Sequence, residues 1–374
     1  MEKETKLKEL AGIFLKLGIT AFGGPAAHIA MMRQEVVTKR QWMTEQHFLD
    51  MIGATNLIPG PNSTEMAIHI GQDRAGWKGL VVAGLCFICP AVLITLFFAW
   101  LYKEYGQLPE VQPFIYGIKP AIISVILAAI YPLAKKSLKT LQLWMIGIIV
   151  LILSLLGINE IFLLFGAGFL AVLLYLINKR GEVYSFIPAV LFQIPDSGFI
   201  SSKNFHLFLA FLKIGAILYG SGYVLFAFLD AELVATGLLT RQQLIDAIAV
   251  GQFTPGPVFS SVTFIGYQIN GFSGAVFSTI AIFLPSFIFV AMLHPLMRKV
   301  RNSKLLSAFL DAVNVASVAI IAAVCYEMGK DSIADWRTAV IAVVSLVFVL
   351  RFTKVNSAFV VLGGALLGFL LFRI

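Results

Sequence analysis

Charged residues are scarce in this chain. Lys, Arg, Asp and Glu make up 13% of its 374 residues, whereas hydrophobic residues make up 59%. A water-soluble protein of this length needs a far more polar surface, so the composition excludes that class. Apolar runs long enough to cross a bilayer as helices recur along the chain. The sequence therefore predicts an all-α polytopic membrane protein, multi-pass and surrounded by lipid.

The sequence also has few cysteines and lacks the common catalytic motifs. Its 3 cysteines provide no disulfide framework, and the Cys-x-x-Cys of Cys86 and Cys89 lies inside an apolar run, where we interpret it as helix packing. No GxxxxGK[ST] segment is present, which excludes a built-in ATPase of that type. The spacing of His, Asp and Glu indicates no metal site. We therefore predict no cofactor, no metal and no enzymatic activity.

The formal net charge of +8 does not indicate a nucleic-acid partner. The basic residues are scattered in short loops between apolar segments, as the positive-inside rule of membrane proteins requires. The N-terminal segment mixes Glu with Lys, and Lys16 interrupts its apolar stretch, so we expect no cleaved signal peptide. This pattern is typical of a multi-pass protein of a cell membrane.

The chain contains an internal duplication. The segment FLKLGITAFGG aligns with FLKIGAILYGS, and FLDMIGATNLIPGP aligns with LIDAIAVGQFTPGP further along both halves. Matches that need only single-residue gaps over most of each half are difficult to produce by chance. We predict two repeats, residues 1–180 and 200–374, joined by a polar linker at 181–199.

The second apolar segment of each repeat is interrupted by Pro-Gly-Pro, at 59–61 and at 255–257. Each remaining piece is too short to span a bilayer core of about 30 Å. If the segment crosses, each repeat has six spans and the repeats are parallel. If it is re-entrant, each has five spans and the repeats are inverted. Only the second alternative gathers most Lys and Arg on one face. We therefore predict two inverted-topology repeats, each of five transmembrane helices and one Pro-Gly-Pro-broken re-entrant hairpin, with both termini outside.

The two Pro-Gly-Pro breaks form the predicted anion site. Irregular backbone at membrane depth must face protein or a watery cavity. A helix that begins after each break directs its first amides and the positive end of its dipole into the break, which favours an anion. The alternative is a structural hairpin whose polar residues cap their own helices. The candidate residues are Pro59, Gly60, Pro61, Asn62, Ser63, Thr64, Pro255, Gly256, Pro257, Ser260 and Ser261, and the amide of Phe259 belongs with them.

The first apolar segment of each repeat adds further candidates. Glycine-rich interruptions allow a ligand or a neighbouring helix to approach the backbone closely. A lysine precedes each interruption, and an intramembrane cation would complement a divalent oxyanion. Tight helix crossing and snorkelling lysines are the alternatives. These candidates are Lys16, Gly23, Gly24 and Pro25 in the first repeat and Lys213, Gly220, Ser221 and Gly222 in the second.

Glu65 breaks the symmetry of the two repeats, because its counterpart is Ser261. A carboxylate beside an anion site repels the anion unless it is protonated. We therefore predict Glu65 as a proton-coupling group. Pairing with Lys16 or His69 is the alternative.

Three segments resemble the signature segments of the chromate ion transporter (CHR) family: FGGPAAHIAMM, NLIPGPNSTEMAIHIG and GQFTPGPVFSSVTFIGYQING. The resemblance covers essentially the whole chain and includes the tandem organisation of the long-chain members. It implies an inner-membrane protein with inverted homologous halves that exports chromate, and related oxyanions such as sulfate. The matching positions are Phe22 to Pro25, Pro59 to Asn62 and Pro255 to Pro257, whereas YGSG in the second half departs from FGGP.

Together these features predict a secondary transporter of a divalent tetrahedral oxyanion, chromate according to the resemblance. Alternating access would move the anion outward, driven by the membrane potential and with proton coupling through Glu65 as an option. The alternatives are a carrier for sulfate or another anion, a passive anion channel, and a lipid-handling membrane protein. The expected partners are the oxyanion and the lipid bilayer. The oligomeric state stays open, a homodimer included.

Overall fold

The computed structural model describes residues 2–178, 203–219, 222–294, 303–352 and 355–372, and all regular elements in these ranges are helices. The first half contains α1 (Glu2–Thr20), α2 (Gly24–Arg33), α3 (Glu45–Thr55), α4 (Asn62–Tyr105), α5 (Gln112–Ser137), α6 (Leu141–Leu155) and α7 (Glu160–Asn178). The second half contains α8 (Lys203–Ile217), α9 (Val224–Leu229), α10 (Arg241–Phe253), α11 (Ser261–Leu293), α12 (Lys304–Ser332), α13 (Trp336–Arg351) and α14 (Ser357–Leu371). The predicted linker, 181–199, lies outside the described residues.

The long helices α4 and α11 each fold back on themselves at a glycine. Gly76 has φ 62° and ψ −153°, and Gly271 has φ 62° and ψ −151°. The Thr263 and Thr279 hydroxyls are 2.7 Å apart across the second bend, although 16 residues of straight helix would separate them by about 24 Å. Each helix therefore consists of two antiparallel arms, 62–74 (α4a) and 77–105 (α4b) in α4, and 261–269 (α11a) and 272–293 (α11b) in α11.

The start of α3 lies beside the end of α4a. Nε2 of His47 is 3.1 Å from Oδ1 of Asp73. Two residues before His47, Glu45 pairs with the Arg33 side chain at the end of α2 at 2.7 Å. The chain thus enters the molecule through α3 and returns to the same end through α4a. We call this end, where the bend of α4 lies, the Arg74 end.

The first apolar segment differs from its prediction as one spanning helix. Gly23 and Gly24, with φ of 104° and 78°, interrupt it and separate α1 from α2. Arg74 binds Glu9 of α1 at 3.3 Å, so the beginning of α1 and the end of α2 both lie at the Arg74 end. The prediction of an N-terminus on the face opposite Arg74 is therefore wrong. Two left-handed glycines followed by Pro25 cannot continue the helix, and the chain turns back.

The opposite end of the molecule is marked by the end of α4b and the start of α10. The Tyr102 hydroxyl donates to Asp246 at 2.7 Å, and Arg241 binds Asp230 and Asp331 at 3.1 and 3.2 Å. We call this the Tyr102 end. The start of α10 therefore lies beside the end of α4b.

Close helix contacts join the two halves. Gly117 of α5 lies against Gly364 and Gly368 of α14, where small residues let the helix backbones approach. Lys139 binds Asp311 at 2.8 Å. A large apolar core contains residues from both halves.

Five of the described helices are long and apolar enough to cross a membrane, namely Asn62–Tyr105, Gln112–Ser137, Glu160–Ile177, Val258–Leu293 and Lys304–Ser332. Shorter apolar helices span Leu141–Leu155, Asn204–Ile217 and Ser357–Leu371. The prediction of an all-helical, multi-pass membrane protein is confirmed.

Candidate functional site

Four chain breaks meet in the middle of the molecule, in two pairs that each join the halves. The Gly60 amide, in the first Pro-Gly-Pro, donates to the Leu218 carbonyl in the break after α8 at 2.8 Å. The Gly256 amide, in the second Pro-Gly-Pro, donates to the Ala21 carbonyl in the break after α1, also at 2.8 Å. The predicted breaks of the first and second segments are thus parts of one central arrangement.

Local sequence chemistry explains the shape of these breaks. Gly60 and Gly256 have φ of 137° and 86°, a region that favours glycine. The flanking prolines have no N–H to satisfy, and all of them are buried. A Cβ at Gly256 would lie 3.0 Å from the Ala91 Cβ. Only glycine therefore fits both the backbone angle and the space.

The first turn of α4a leaves two amides for a ligand. The amides of Thr64 and Glu65 donate to the Pro61 carbonyl at 2.8 and 3.1 Å. This corrects the expectation that the Thr64 amide is available, because a short local bond already uses it. The amides of Asn62 and Ser63 have no acceptor within the helix. The Asn62 side chain donates to Asn56 at 3.0 Å.

The second Pro-Gly-Pro is followed by one turn of 3₁₀ helix, Val258–Ser260, before α11 begins. The Ser260 amide donates to the Pro257 carbonyl at 2.9 Å, and the Ser261 amide also bonds within this turn. Both amides were predicted to face the ligand, and both are used locally instead. The amides of Val258 and Phe259 have no acceptor within this turn.

The serine hydroxyls near this turn are also engaged. Oγ of Ser261 donates to the Val258 carbonyl at 2.8 Å, and Thr95 donates to Oγ of Ser260 at 3.2 Å. The Thr95 contact comes from α4b and again crosses between the halves. Ser260 therefore joins the second break to the first half, and Ser261 stabilises the turn itself.

Glu65 lies directly beneath the first break and is completely buried. Its Oε1 accepts a bond from Ser286 of α11b at 3.4 Å, while Oε2 has no hydrogen-bond partner among the described residues. Ser286 aligns with Ala91, and Glu65 aligns with Ser261. The Glu65–Ser286 pair therefore joins the two halves, and the equivalent positions, Ser261 and Ala91, carry no carboxyl.

The glycine-rich interruptions lie next to these breaks. Gly23, Gly24 and Pro25 form the turn into α2. A Cβ at Gly222 would lie 3.9 Å from both Val258 and Phe259, beside the amides that follow the second Pro-Gly-Pro. Gly220 and Ser221 lie outside the described residues.

The two candidate lysines have different surroundings. Lys213 binds Glu232 at 2.5 Å. Lys16 is exposed and has no ion pair within the described part of the chain. The counterpart of Glu232, Glu35, binds Lys39 at 2.8 Å and also Arg40, and the Lys39 hydrogen bond holds the pKa of Glu35 below its usual value. The Lys213–Glu232 ion pair of the second half therefore has no equivalent in the first half. There, Glu35 pairs with the nearby Lys39 and Arg40 and not with Lys16.

A polar cavity that the sequence did not predict opens at the Tyr102 end. Its volume is about 310 Å³, and Lys119, Gln242 and the buried Asp246 line it. Nζ of Lys119 lies 3.9 Å from Oδ1 of Asp246. The described residues contain no group of three or more His, Cys, Asp and Glu side chains that could hold a metal ion.

Comparison with known proteins identifies the family. The profile of the chromate transporter family matches residues 8–172 and again residues 205–369. A chromate transport protein of Cupriavidus metallidurans is 32% identical over 372 residues, which cover 97% of this chain and 92% of the relative. A probable chromate transport protein of Synechococcus elongatus is 32% identical over 352 residues, 91% of this chain and 89% of the relative.

A chromate transport protein of Pseudomonas aeruginosa is 28% identical over 384 residues, which cover 97% of this chain and 92% of the relative. No solved structure matches the chain. The resemblance found in the signature segments is confirmed over nearly the whole length and in both halves. This chain belongs to the chromate transporter family.

Proposed function

We propose that this protein exports chromate by alternating access, with the anion bound among the four central breaks. The family and the names of the relatives support chromate as the substrate. The membrane potential, negative inside, favours outward movement of negative charge by about 2.3 kcal/mol per charge per 100 mV. Export of a dianion therefore needs no further energy source.

The observation that carries this proposal is the pairing of Gly60 with Leu218 and of Gly256 with Ala21. Each bond sets the Pro-Gly-Pro before a helix start against a break of the other half. The amides of Asn62 and Ser63 would bind the anion from one side, and those of Val258 and Phe259 from the other. Because each pair joins the two halves, movement of one half against the other would open the centre to either face.

Other candidates would complete the centre in secondary roles. Glycines 23, 24 and 222 would allow the close approach of backbone, and Ser260 and Ser261 would hold the second break in place. Lys16 and Lys213 would raise the local positive potential without contacting the anion.

We infer that the two halves are inverted in the membrane and that the broken segments are re-entrant. The His47–Asp73 pair supports this, because it joins the start of the first broken segment to its return. Most basic side chains of the described loops belong to the Arg74 end, which therefore faces the cytoplasm. They include Lys6, Lys8, Arg33, Lys39, Arg40, Arg74, Lys78, Lys135, Lys136 and Lys139.

Cysteine labelling tests this topology. In a chain whose three native cysteines are replaced by serine, Lys8→Cys and Lys39→Cys should react with a membrane-impermeant maleimide only from the cytoplasmic face. Glu104→Cys should react only from the other face. If Lys8→Cys reacted from the same face as Glu104→Cys, and Lys39→Cys reacted from the other face, α1 and α2 would form one spanning segment.

Glu65 is the proposed proton-coupling group. A dianion at the break and an ionised Glu65 repel each other, so binding of the anion favours the protonated carboxyl. One proton would then travel with each dianion. The complex would move a single net negative charge, which the membrane potential still drives outward.

Uptake of radiolabelled chromate into everted vesicles tests the function. We expect saturable uptake that depends on the potential and is competed only weakly by sulfate. Non-saturating conductance would indicate a channel, and equal competition by sulfate would indicate a general sulfate-type carrier. Vesicles that contain the protein but take up no chromate would contradict the proposal.

A further inference from the structure

A line of titratable side chains leads from the Arg74 end to Glu65. Glu65, His69 and Asp73 follow one another at intervals of four residues in α4a, so they share one face of the helix. Nδ1 of His69 lies 3.5 Å from Nδ1 of His294, at the end of α11b. Asp73 in turn binds Nε2 of His47 at 3.1 Å. Three elements, α3, α4a and α11b, thus contribute to one line.

Burial increases along this line. The His47 side chain is 40% exposed and that of Asp73 is 32% exposed, whereas His69 and Glu65 are both 0% exposed. The line therefore connects the surface with the carboxyl beneath the first break. No apolar residue of α4a interrupts the face that these side chains share, because successive members are one turn apart.

The two innermost groups both have an unused polar atom. Nε2 of His69 and Oε2 of Glu65 are buried without a hydrogen-bond partner in the described ranges. A buried polar atom without a hydrogen-bond partner destabilises the folded protein. These two atoms belong to side chains one turn apart on the same helix, so a proton passed between them would satisfy both. Packing alone gives no reason to keep two such groups together.

The duplication provides an internal comparison. In the second half, the same spacing from Ser261 reaches Ile265 and Ile269, which cannot titrate. The line occurs only in the half that has the buried carboxyl. The line of titratable residues therefore occurs together with Glu65. It is not a general feature of the helical hairpin that both halves share.

We propose that Glu65, His69, His294 and the His47–Asp73 pair form a relay that carries protons between the Arg74 end and Glu65. Each imidazole accepts a proton on one nitrogen and releases one from the other, so the relay ends each transfer with an unchanged number of protons. The inference rests on the proposed coupling role of Glu65 and adds the path by which its proton arrives.

Few other titratable groups face the relay. Tyr219, in the break after α8, interacts with Glu65, and His294 interacts with Asp73 and His47. The neighbouring Arg74 points elsewhere, to Glu9 and to the ring of Trp42 at 4.5 Å. Protons from the Arg74 end therefore have one histidine route to the buried carboxyl within the described residues.

Infrared difference spectroscopy on the full-length protein tests the relay without chromate. After a pH jump, the band of the protonated Glu65 carboxyl, identified by its loss in Glu65→Gln, should rise. His69→Gln and His294→Gln should each slow this rise by roughly a hundredfold, as for the loss of a positioned proton-transfer group. His206→Gln, which replaces an exposed histidine of α8 outside the line, should leave the rate unchanged.

Unchanged rates in both His69→Gln and His294→Gln would overturn the relay, as would a Glu65 band that does not respond to pH. Because His294 is only partly buried, its variant should fold even where His69→Gln does not, and thermal unfolding checks both. Failure of the vesicles to take up chromate would contradict the proposed function but would not alter these rates. The two failures are therefore distinguishable.

Discussion

Gly60→Ala is expected to reduce chromate uptake by about tenfold or more while the protein remains in the membrane. Gly60 has φ 137°, which an alanine adopts at a cost of about 1–3 kcal/mol. The new Cβ would lie 2.6 Å from Oγ of Ser286 and would also overlap Oε1 of Glu65. The break must therefore shift, and the bond from Gly60 to Leu218 would be distorted. Uptake into everted vesicles at matched protein levels measures the effect.

Two further variants control this experiment. Gly53→Ala changes a residue within α3, where the new Cβ would meet no atom within 4 Å. Alanine also stabilises a helix by about 1 kcal/mol relative to glycine. It should transport at the normal rate. Gly256→Ala, in the second break with φ 86°, should be impaired like Gly60→Ala. Normal uptake by both Gly60→Ala and Gly256→Ala would show that the breaks do not form the anion site.

Glu65→Gln is expected to make uptake independent of the pH on the Arg74 face. In the natural protein, lower pH on that face protonates Glu65 and favours binding of the dianion, so uptake should rise as the pH falls. Charges of −1 and −2 about 6 Å apart repel by on the order of 5 kcal/mol at an effective dielectric constant of about 20. Glutamine keeps the shape of the protonated carboxyl without this repulsion. At high pH, the variant should therefore bind chromate at least about tenfold more tightly than the natural protein.

Uptake as a function of pH, recorded for the natural protein and for Glu65→Gln at the same chromate concentration, measures this effect. The ratio of the two rates at each pH cancels any change in the protonation of chromate itself. Glu104→Gln, which changes an exposed carboxyl at the other end, should keep the natural profile. A Glu65→Gln profile that parallels the natural one would exclude Glu65 as the coupling group.

The sequence predicted the elements of this centre but not their connections. Duplication located both Pro-Gly-Pro breaks and both glycine-rich interruptions. It could not show that Gly60 binds Leu218, because that bond joins non-equivalent segments of different halves. Likewise, the apolar length of the first segment indicated one span, while the left-handed conformation of Gly23 and Gly24 divides it into α1 of 19 residues and α2 of 10 residues.

The details of the anion site depended on hydrogen bonds that periodicity does not specify. The amides of Thr64 and Ser260 close short turns onto Pro61 and Pro257, so in our proposal the neighbouring amides bind the anion instead. The relay could have been suspected from the four-residue spacing of Glu65, His69 and Asp73. His294, however, is more than two hundred residues away in the sequence, and only the fold brings it to His69.

The position of the bound anion tests the central claim most directly. Anomalous diffraction at the chromium absorption edge, from crystals of the protein with chromate, locates the metal of the oxyanion without assumptions about the site. We expect one chromium peak within about 4 Å of the amides of Asn62 and Ser63 or of Val258 and Phe259, in keeping with hydrogen bonds from a helix start to an oxyanion. A peak only in the cavity beside Lys119 and Asp246, with none between the breaks, would contradict it.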